Sequence, residues 1–256
     1  MSKILPGDID VLVTSFGGVG TTLLTRFVAQ YKRTNHFNDA DFLKHLSVPP
    51  CSFNPHIRYV YLMGDPILAV VSLFRRKLQY EHSKKLQTGQ RLVISPIPGD
   101  MSLDSYVMAG KEQFLFESHF ENWYRKYLLH PTAFVRYESL WENLKPLFAF
   151  LDLPASAISA FPEKKERESS LAGIAPETLR GLEQMYGGLR KRLEGLSDFE
   201  VRAGRRPHNR ARVIFSKNMR LAISGRVKRN LANFLHDHYP GLHQRLKTTI
   251  KSFQIF

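Results

Sequence analysis

Cysteine is almost missing from this chain. Cys51 is the one thiol among 256 residues, which rules out an internal disulfide and a zinc site built from cysteines and suits a reducing compartment. Long apolar runs are missing too. None approaches the roughly 18–20 residues that cross a bilayer, and Met1–Asp10 holds no signal-peptide core, so the expected location is the cytoplasm. No His/Cys/Asp cluster has metal-ligand spacing, and no metal is expected. A Gly-x-Ser-x-Gly nucleophile elbow is absent, as is any internal repeat. Acid is scarce at the end of the chain. Residues 202–256 carry 13 Lys/Arg against one acid, Asp237, a surplus of 12 in a total net charge of +14. The basicity therefore belongs to a tail, and the preceding residues are close to neutral.

What is present points to a packed domain. Hydrophobic residues make up 43% and aromatics 12%, enough for a core rather than disorder. The stretch Asp10–Tyr31 organises the rest. Val11, Leu12 and Val13 read as a strand buried on both faces. Gly17, Gly18 and Gly20 follow and allow backbone conformations closed to other residues. Leu23, Leu24, Phe27, Val28 and Tyr31 then lie on one face of a helix. Strand, glycine turn and helix start make an anion site, because free N–H groups converge there and the helix dipole favours negative charge. Thr21 and Thr22 add hydroxyls. A standard P-loop has Lys before its Ser/Thr, where this chain has Gly20. The turn either cradles a phosphate-like group or is a strand–helix connection that binds nothing.

Further along, a short strand is expected around Phe42–Leu46 and a clear one over Ile57–Met63. Asp65 reads as the N-cap of the next helix rather than a metal ligand, with Pro66 at its first position. Val70, Val71, Phe74 and Leu78 continue that helix, and Lys84–Asp104 reads as a loop. Phe114–Leu129 reads as a helix, Thr132–Tyr137 as a strand, and Pro146 as a divider between two short helices. Leu179–Leu193 reads as a helix weakened by Gly187-Gly188. Helices between strands imply a parallel α/β sheet whose ligands bind beyond the strands' carboxyl ends. Residues 1–203 are taken as this α/β domain. Residues 204–256 are taken as a basic, amphipathic helical extension. Its segment 205–256 either packs its apolar faces on the domain or meets a polyanion or an anionic membrane surface. Nucleic acid is not expected as the main partner, since no binding module is present.

Three segments, in order, resemble the sulfotransferase family, which moves a sulfuryl group from 3′-phosphoadenosine 5′-phosphosulfate (PAPS) to an acceptor. Thr14–Thr22 is similar to the family's loop for the 5′-phosphosulfate. Tyr59–Ser72 is similar to its 3′-phosphate element, an Arg followed by seven residues and a Ser. Val135–Leu140, with Phe148–Pro154 behind it, is similar to its Tyr-Glu-Asp-Leu strand end. The helix ending at Phe199 resembles the closing helix of glycan-modifying members. The resemblance covers residues 9 to about 200. It implies a P-loop-like fold, PAPS or its product PAP as co-substrate, and a hydroxyl of a carbohydrate or glycoconjugate as acceptor. Donor contacts would come from Gly17, Gly18, Val19, Gly20, Thr21, Thr22, Ser72 and Tyr137. In the Lys44-His45-Leu46 segment, similar to the family's Lys-Thr-His-Leu-Pro, His45 would be the base, with Thr21 as the second catalytic candidate. Glu81 and His82 are rival bases, and His119 is a candidate acceptor contact.

Two departures stand out. The family carries a Lys where this chain has Gly18 and an Arg where it has Gly64. Two missing charge-assisted contacts would weaken binding by roughly 1.5–3 kcal/mol each unless other cations replace them. Arg26, Arg75, Arg76, Lys164, Lys165 and Arg167 are the candidates, with Lys165 and Arg167 expected to cover the 3′-phosphate. The alternatives to a sulfotransferase are a nucleotide-dependent phosphoryl transferase, against which the missing P-loop Lys argues, and a binding protein that keeps the fold without catalysis.

Overall fold

The computed structural model describes residues 9–50, 56–88, 94–124, 128, 130–164 and 171–204. The expected extension over 204–256 falls, apart from Gly204, outside the described residues.

Four strands form one open sheet in the order β1 (Val11–Thr14), β2 (Arg58–Met63), β3 (Thr132–Arg136), β4 (Phe199–Arg202). The first three are parallel, with Val13 opposite Val60 and Tyr61 opposite Phe134. They are buried along nearly their whole length, as their unbroken apolar runs require. β4 runs antiparallel to β3, with Phe199 opposite Val135. The sheet is therefore mixed, which corrects the expected all-parallel arrangement. β4 follows α8 (Pro176–Glu194) and runs back beside β3 as an edge strand.

The outer side of β1 is partly occupied. Thr34 bridges Val11 in parallel, and Asn35 then continues the ladder with its side chain. Its Oδ1 accepts from Val13 N at 2.8 Å and its Nδ2 donates to Val13 O at 3.0 Å. The strand expected around Phe42–Leu46 does not form. Phe42 sits at φ 60° in a turn, where its N–H donates to Asp39 O.

The helix after β2 is shorter than expected. α2 (Pro66–Arg75) ends where Lys77 adopts φ 53°, with Leu78 N donating to Leu73 O and Lys77 N to Phe74 O. This is a Schellman stop made without glycine. α3 (Gln79–Gln87) starts at once, so the expected loop begins later than Lys84, and α4 (Leu103–Met108) starts just before its expected end at Asp104. Between α1 (Thr21–Val28) and β2, and again between α5 (Phe116–Trp123) and β3, the chain is irregular where it is described. Pro146 does not divide two helices. It lies in the first turn of α6 (Leu144–Phe150), where its missing N–H would have had no helical partner. A four-residue helix, α7 (Ala157–Ala160), follows. α8 runs through Gly187-Gly188 unbroken, because Leu182, Tyr186, Leu189 and Leu193 anchor one face.

Packing fixes the edge where β1, β2 and β3 end. Phe27 of α1 stacks on Phe148 of α6 with ring centroids 5.4 Å apart. Phe16 stacks on Phe116 of α5 at 4.7 Å. From α5, Trp123 Nε1 donates to Leu46 O at 2.6 Å and Asn122 Nδ2 to Ser47 O at 3.1 Å. These bonds hold the 44–47 segment against the sheet edge. Among the described residues no helix is long and apolar enough to cross a membrane.

Candidate functional site

The turn after β1 is shaped by its glycines. Gly17, Gly18 and Gly20 have φ of 100°, 70° and 76°, the region that Cβ sterics close to most residues. The space where each would carry a side chain is filled from a different element. His82 of α3 lies against Gly17, Ala69 of α2 against Gly18, and the Tyr137 ring against Gly20. Ser15 braces the turn from within: its Oγ accepts from Gly17 N at 2.9 Å and lies 2.5 Å from Thr21 Oγ1. α1 has no side-chain cap. Its first bonds run from Leu23 N and Leu24 N to Gly20 O, so the Thr21 and Thr22 amides stand ahead of them, where a helix start offers its donors to an anion.

The exit of β2 is capped as expected. Asp65 Oδ1 accepts from Ile67 N at 2.8 Å and Leu68 N at 3.3 Å, and Oδ2 pairs with Arg190 at 3.2 Å. A Cβ on Gly64 would meet Val19 Cγ1 at 3.0 Å and Glu138 Oε1 at 3.1 Å. Gly64 therefore has a carboxylate close by.

Gly18–Thr22, His45, Ser72 and Tyr137 all line one cavity of about 820 Å³. Gly17 lies behind that lining, buried under His82. Lys44, Arg75, Arg76 and Lys85 also line the cavity, along with His82, Glu81 and Asp39. Lys44 Nζ donates to Thr22 Oγ1 at 3.1 Å and to Phe37 O at 2.7 Å, which sets an ammonium beside the start of α1. Burial lowers its pKa from the usual lysine value, and Asp39 opposes that shift. Lys85 pairs with the buried Asp39 at 2.9 Å. Arg76 Nε donates to Ser72 O at 3.1 Å.

Two of the cations expected to replace the missing pair lie elsewhere. Arg26 stacks on the Phe37 ring at 4.3 Å. Lys164 donates to Glu138 O at 2.8 Å and pairs with Glu142. Neither lines the cavity. Lys165 and Arg167 lie outside the described residues. Asp39 and Lys85 were not legible as site residues, and Lys44 was legible only as the neighbour of His45. No local pattern marks any of them as facing the glycine turn.

The histidines are held with care. His45 Nδ1 lies 3.0 Å from Ser15 O, and His82 Nε2 lies 2.8 Å from Phe16 O. A carbonyl only accepts, so these two nitrogens carry the hydrogens. The rings stand edge to face with centroids 4.5 Å apart. Burial drives His45 well below the ordinary histidine value, helped by His82 and Lys44. Burial likewise pushes His82 down to about 4. Deeper in, His119 Nδ1 lies 3.0 Å from the Tyr61 hydroxyl, and burial pushes this ring down to about 3. Thr21 is buried, with its hydroxyl engaged by Ser15.

The arrangement suits an anionic, nucleotide-sized ligand: orphan amides and hydroxyls at a helix start, four cations, an aromatic ring, and neutral imidazoles able to accept a proton. Among the described residues no group of three or more His, Cys, Asp or Glu is placed to hold a metal ion. Comparison with protein-family models and with curated proteins finds no match.

Proposed function

We propose that this protein is a sulfotransferase-like enzyme that binds PAPS in this cavity and transfers its sulfuryl group to a hydroxyl of a carbohydrate or glycoconjugate. The observation that carries the proposal is the convergence of Gly18–Thr22, Ser72 and Tyr137, which are 50 to 119 positions apart in sequence, on a single cavity, with the Lys44 ammonium against Thr22. The turn amides and Lys44 hold the 5′-phosphosulfate, and Ser72 with Arg75 and Arg76 holds the 3′-phosphate. Tyr137 takes the adenine side.

Sulfuryl transfer, like phosphoryl transfer, is governed by in-line positioning and by stabilising charge spread over equatorial oxygens. Lys44 supplies charge where the leaving phosphate gains it, and His45 takes the acceptor's proton. The carbohydrate acceptor, the cytoplasmic location and contact of residues 205–256 with an anionic membrane belong to this proposal and rest on the sequence alone.

Calorimetric titration with PAP tests the donor assignment. Micromolar binding without added metal supports it. Absence of binding at millimolar PAP, with a Mg²⁺-dependent ATP signal in its place, would move the reading to a phosphoryl transferase.

A further inference from the structure

We propose that His45 and His82 form a single one-proton base that becomes basic only when an anion fills the cavity, with His82 a positioning partner of His45. This inference rests on the donor reading above. The geometry is specific. The two rings hydrogen-bond to consecutive carbonyls, Ser15 O and Phe16 O, at the start of the glycine turn. Each ring thereby has a fixed tautomer, with one nitrogen left over: Nε2 on His45 and Nδ1 on His82. Both residues line the cavity, which His119 does not.

Two rings at a centroid separation of 4.5 Å do not both hold a positive charge. An imidazolium set against a neutral ring is instead favoured. The pair has a capacity of one proton, and either ring can supply the neutral partner.

The surroundings decide when that proton is accepted. Facing the pair are Lys44 and Asp39 from the 39–44 segment, Arg76 at the end of α2, Glu81 and Lys85 on α3, and His119 on α5. Burial first, and then the charges of Lys44, Arg76 and Lys85, oppose protonation in the empty cavity. A ligand carrying several negative charges offsets Lys44, Arg76 and Lys85 and reverses their field.

In the proposed reaction the acceptor oxygen bonds to sulfur and its hydrogen passes as a proton to Nε2 of His45. The bond from sulfur to the bridging phosphate oxygen breaks, and its electron pair leaves on the phosphate of PAP. His82 stays neutral beside the new imidazolium. The base is thus switched on by the donor, and an acceptor that enters first meets no base.

Side-chain ¹⁵N spectra of the wild-type protein test this, free and saturated with PAP, at pH 6.5. The free protein should show both rings neutral, His45 as the Nδ1–H tautomer and His82 as the Nε2–H tautomer. With PAP bound, the two rings together should gain one proton. His82→Gln keeps a donor for Phe16 O, and in it the whole gain should appear on His45. PAP bound with no proton gained, or with two gained, would overturn the pair while leaving the donor site standing. If PAP does not bind, the donor reading fails and the free protein judges the pair. One coupled acid step supports it, and two independent full titrations overturn it. If His82→Gln does not fold, the wild-type spectra alone decide.

Discussion

Gly18 and Ala69 are in direct contact: a Cβ on Gly18 would stand 2.8 Å from both Cα and Cβ of Ala69, at a backbone φ of 70°. A lysine at this position is excluded by packing as well as by conformation. Gly18→Lys is therefore expected to destabilise rather than restore a contact, by roughly 2–4 kcal/mol from left-handed strain and overpacking together. Gly64→Arg differs, because Gly64 has no positive φ and its neighbours are the side-chain ends of Val19 and Glu138. It should lose less than about 1.5 kcal/mol. Urea denaturation of the two variants measures the contrast, and equal losses would contradict it.

Lys44 supplies from a distant loop a charge that the turn lacks. Lys44→Met should weaken PAP binding by about 1.5–3 kcal/mol, or roughly 10–150-fold, while Lys44→Arg retains most of the affinity. Stability should change by no more than about 1 kcal/mol, the net worth of the bonds to Thr22 and Phe37. Calorimetry on both variants decides, and unchanged binding by Lys44→Met would remove Lys44 from the site.

Signals confined to a few residues were legible in the sequence. The apolar run of β1, the glycine turn and the Asp65-Pro66 helix start need only their own neighbours to declare themselves, and all three are found. β4 was not legible. It is a short, half-exposed edge strand, and its pairing partner lies more than 60 residues away. The end of α2 was hidden because Lys77, not a glycine, takes the left-handed position. The Asp39–Lys85 pair and the bond from His82 to Phe16 O, across 66 positions, are products of tertiary packing and leave no trace in spacing. The glycines at 18 and 64 were visible at once, but the closeness of Ala69 to the first and of Glu138 to the second is visible only in the fold.

That left-handed lysine gives a stability prediction of its own. Lys77 at φ 53° terminates α2 within a fully bonded Schellman motif. Glycine takes this conformation without Cβ strain, worth roughly 1–2 kcal/mol, although it raises the entropy of the unfolded chain. Lys77→Gly should thus stabilise by about 0.5–1 kcal/mol net. A rise in the urea midpoint with an unchanged slope is the expected result, and a fall would show that the Lys77 side chain contributes more than its backbone strain takes away.

Buried neutral histidines set the acid stability. Burial lowers His45, His82, His119 and His130 from the ordinary histidine value of about 6.5, with His82 at about 4 and His119 at about 3. Below about pH 6.5 the unfolded chain therefore binds protons that the folded chain refuses. Stability is full above pH 7 and falls as pH drops toward 4, by up to about 1.4 kcal/mol per pH unit for each group. Glu112 acts in the opposite sense, since burial raises its pKa and the folded chain holds its proton longer. The cleanest measurement is thus a difference: between pH 4.5 and 6 the slope for His82→Gln should be shallower than wild type by about 1.4 kcal/mol per unit. Parallel slopes would mean that His82 is charged in the folded protein.

Thr21 separates bracing from chemistry. Its hydroxyl faces Ser15 Oγ at 2.5 Å, and Ser15 Oγ in turn accepts from Gly17 N. Removing the hydroxyl breaks a chain of bonds that holds the turn in shape, and Ser15 Oγ keeps Gly17 N but loses its hydroxyl partner in a buried site. Thr21→Val should accordingly lower stability by about 1–3 kcal/mol and weaken PAP binding through loss of the turn's shape. Thr21→Ser, which keeps the oxygen, should restore both. If Thr21→Val instead keeps its stability and its PAP affinity while a sulfuryl-transfer rate with a surrogate acceptor collapses, the hydroxyl acts on the reacting atoms. If stability and affinity fall together and the rate follows them, Thr21 is a brace for the turn and His45 is left as the group that moves the proton.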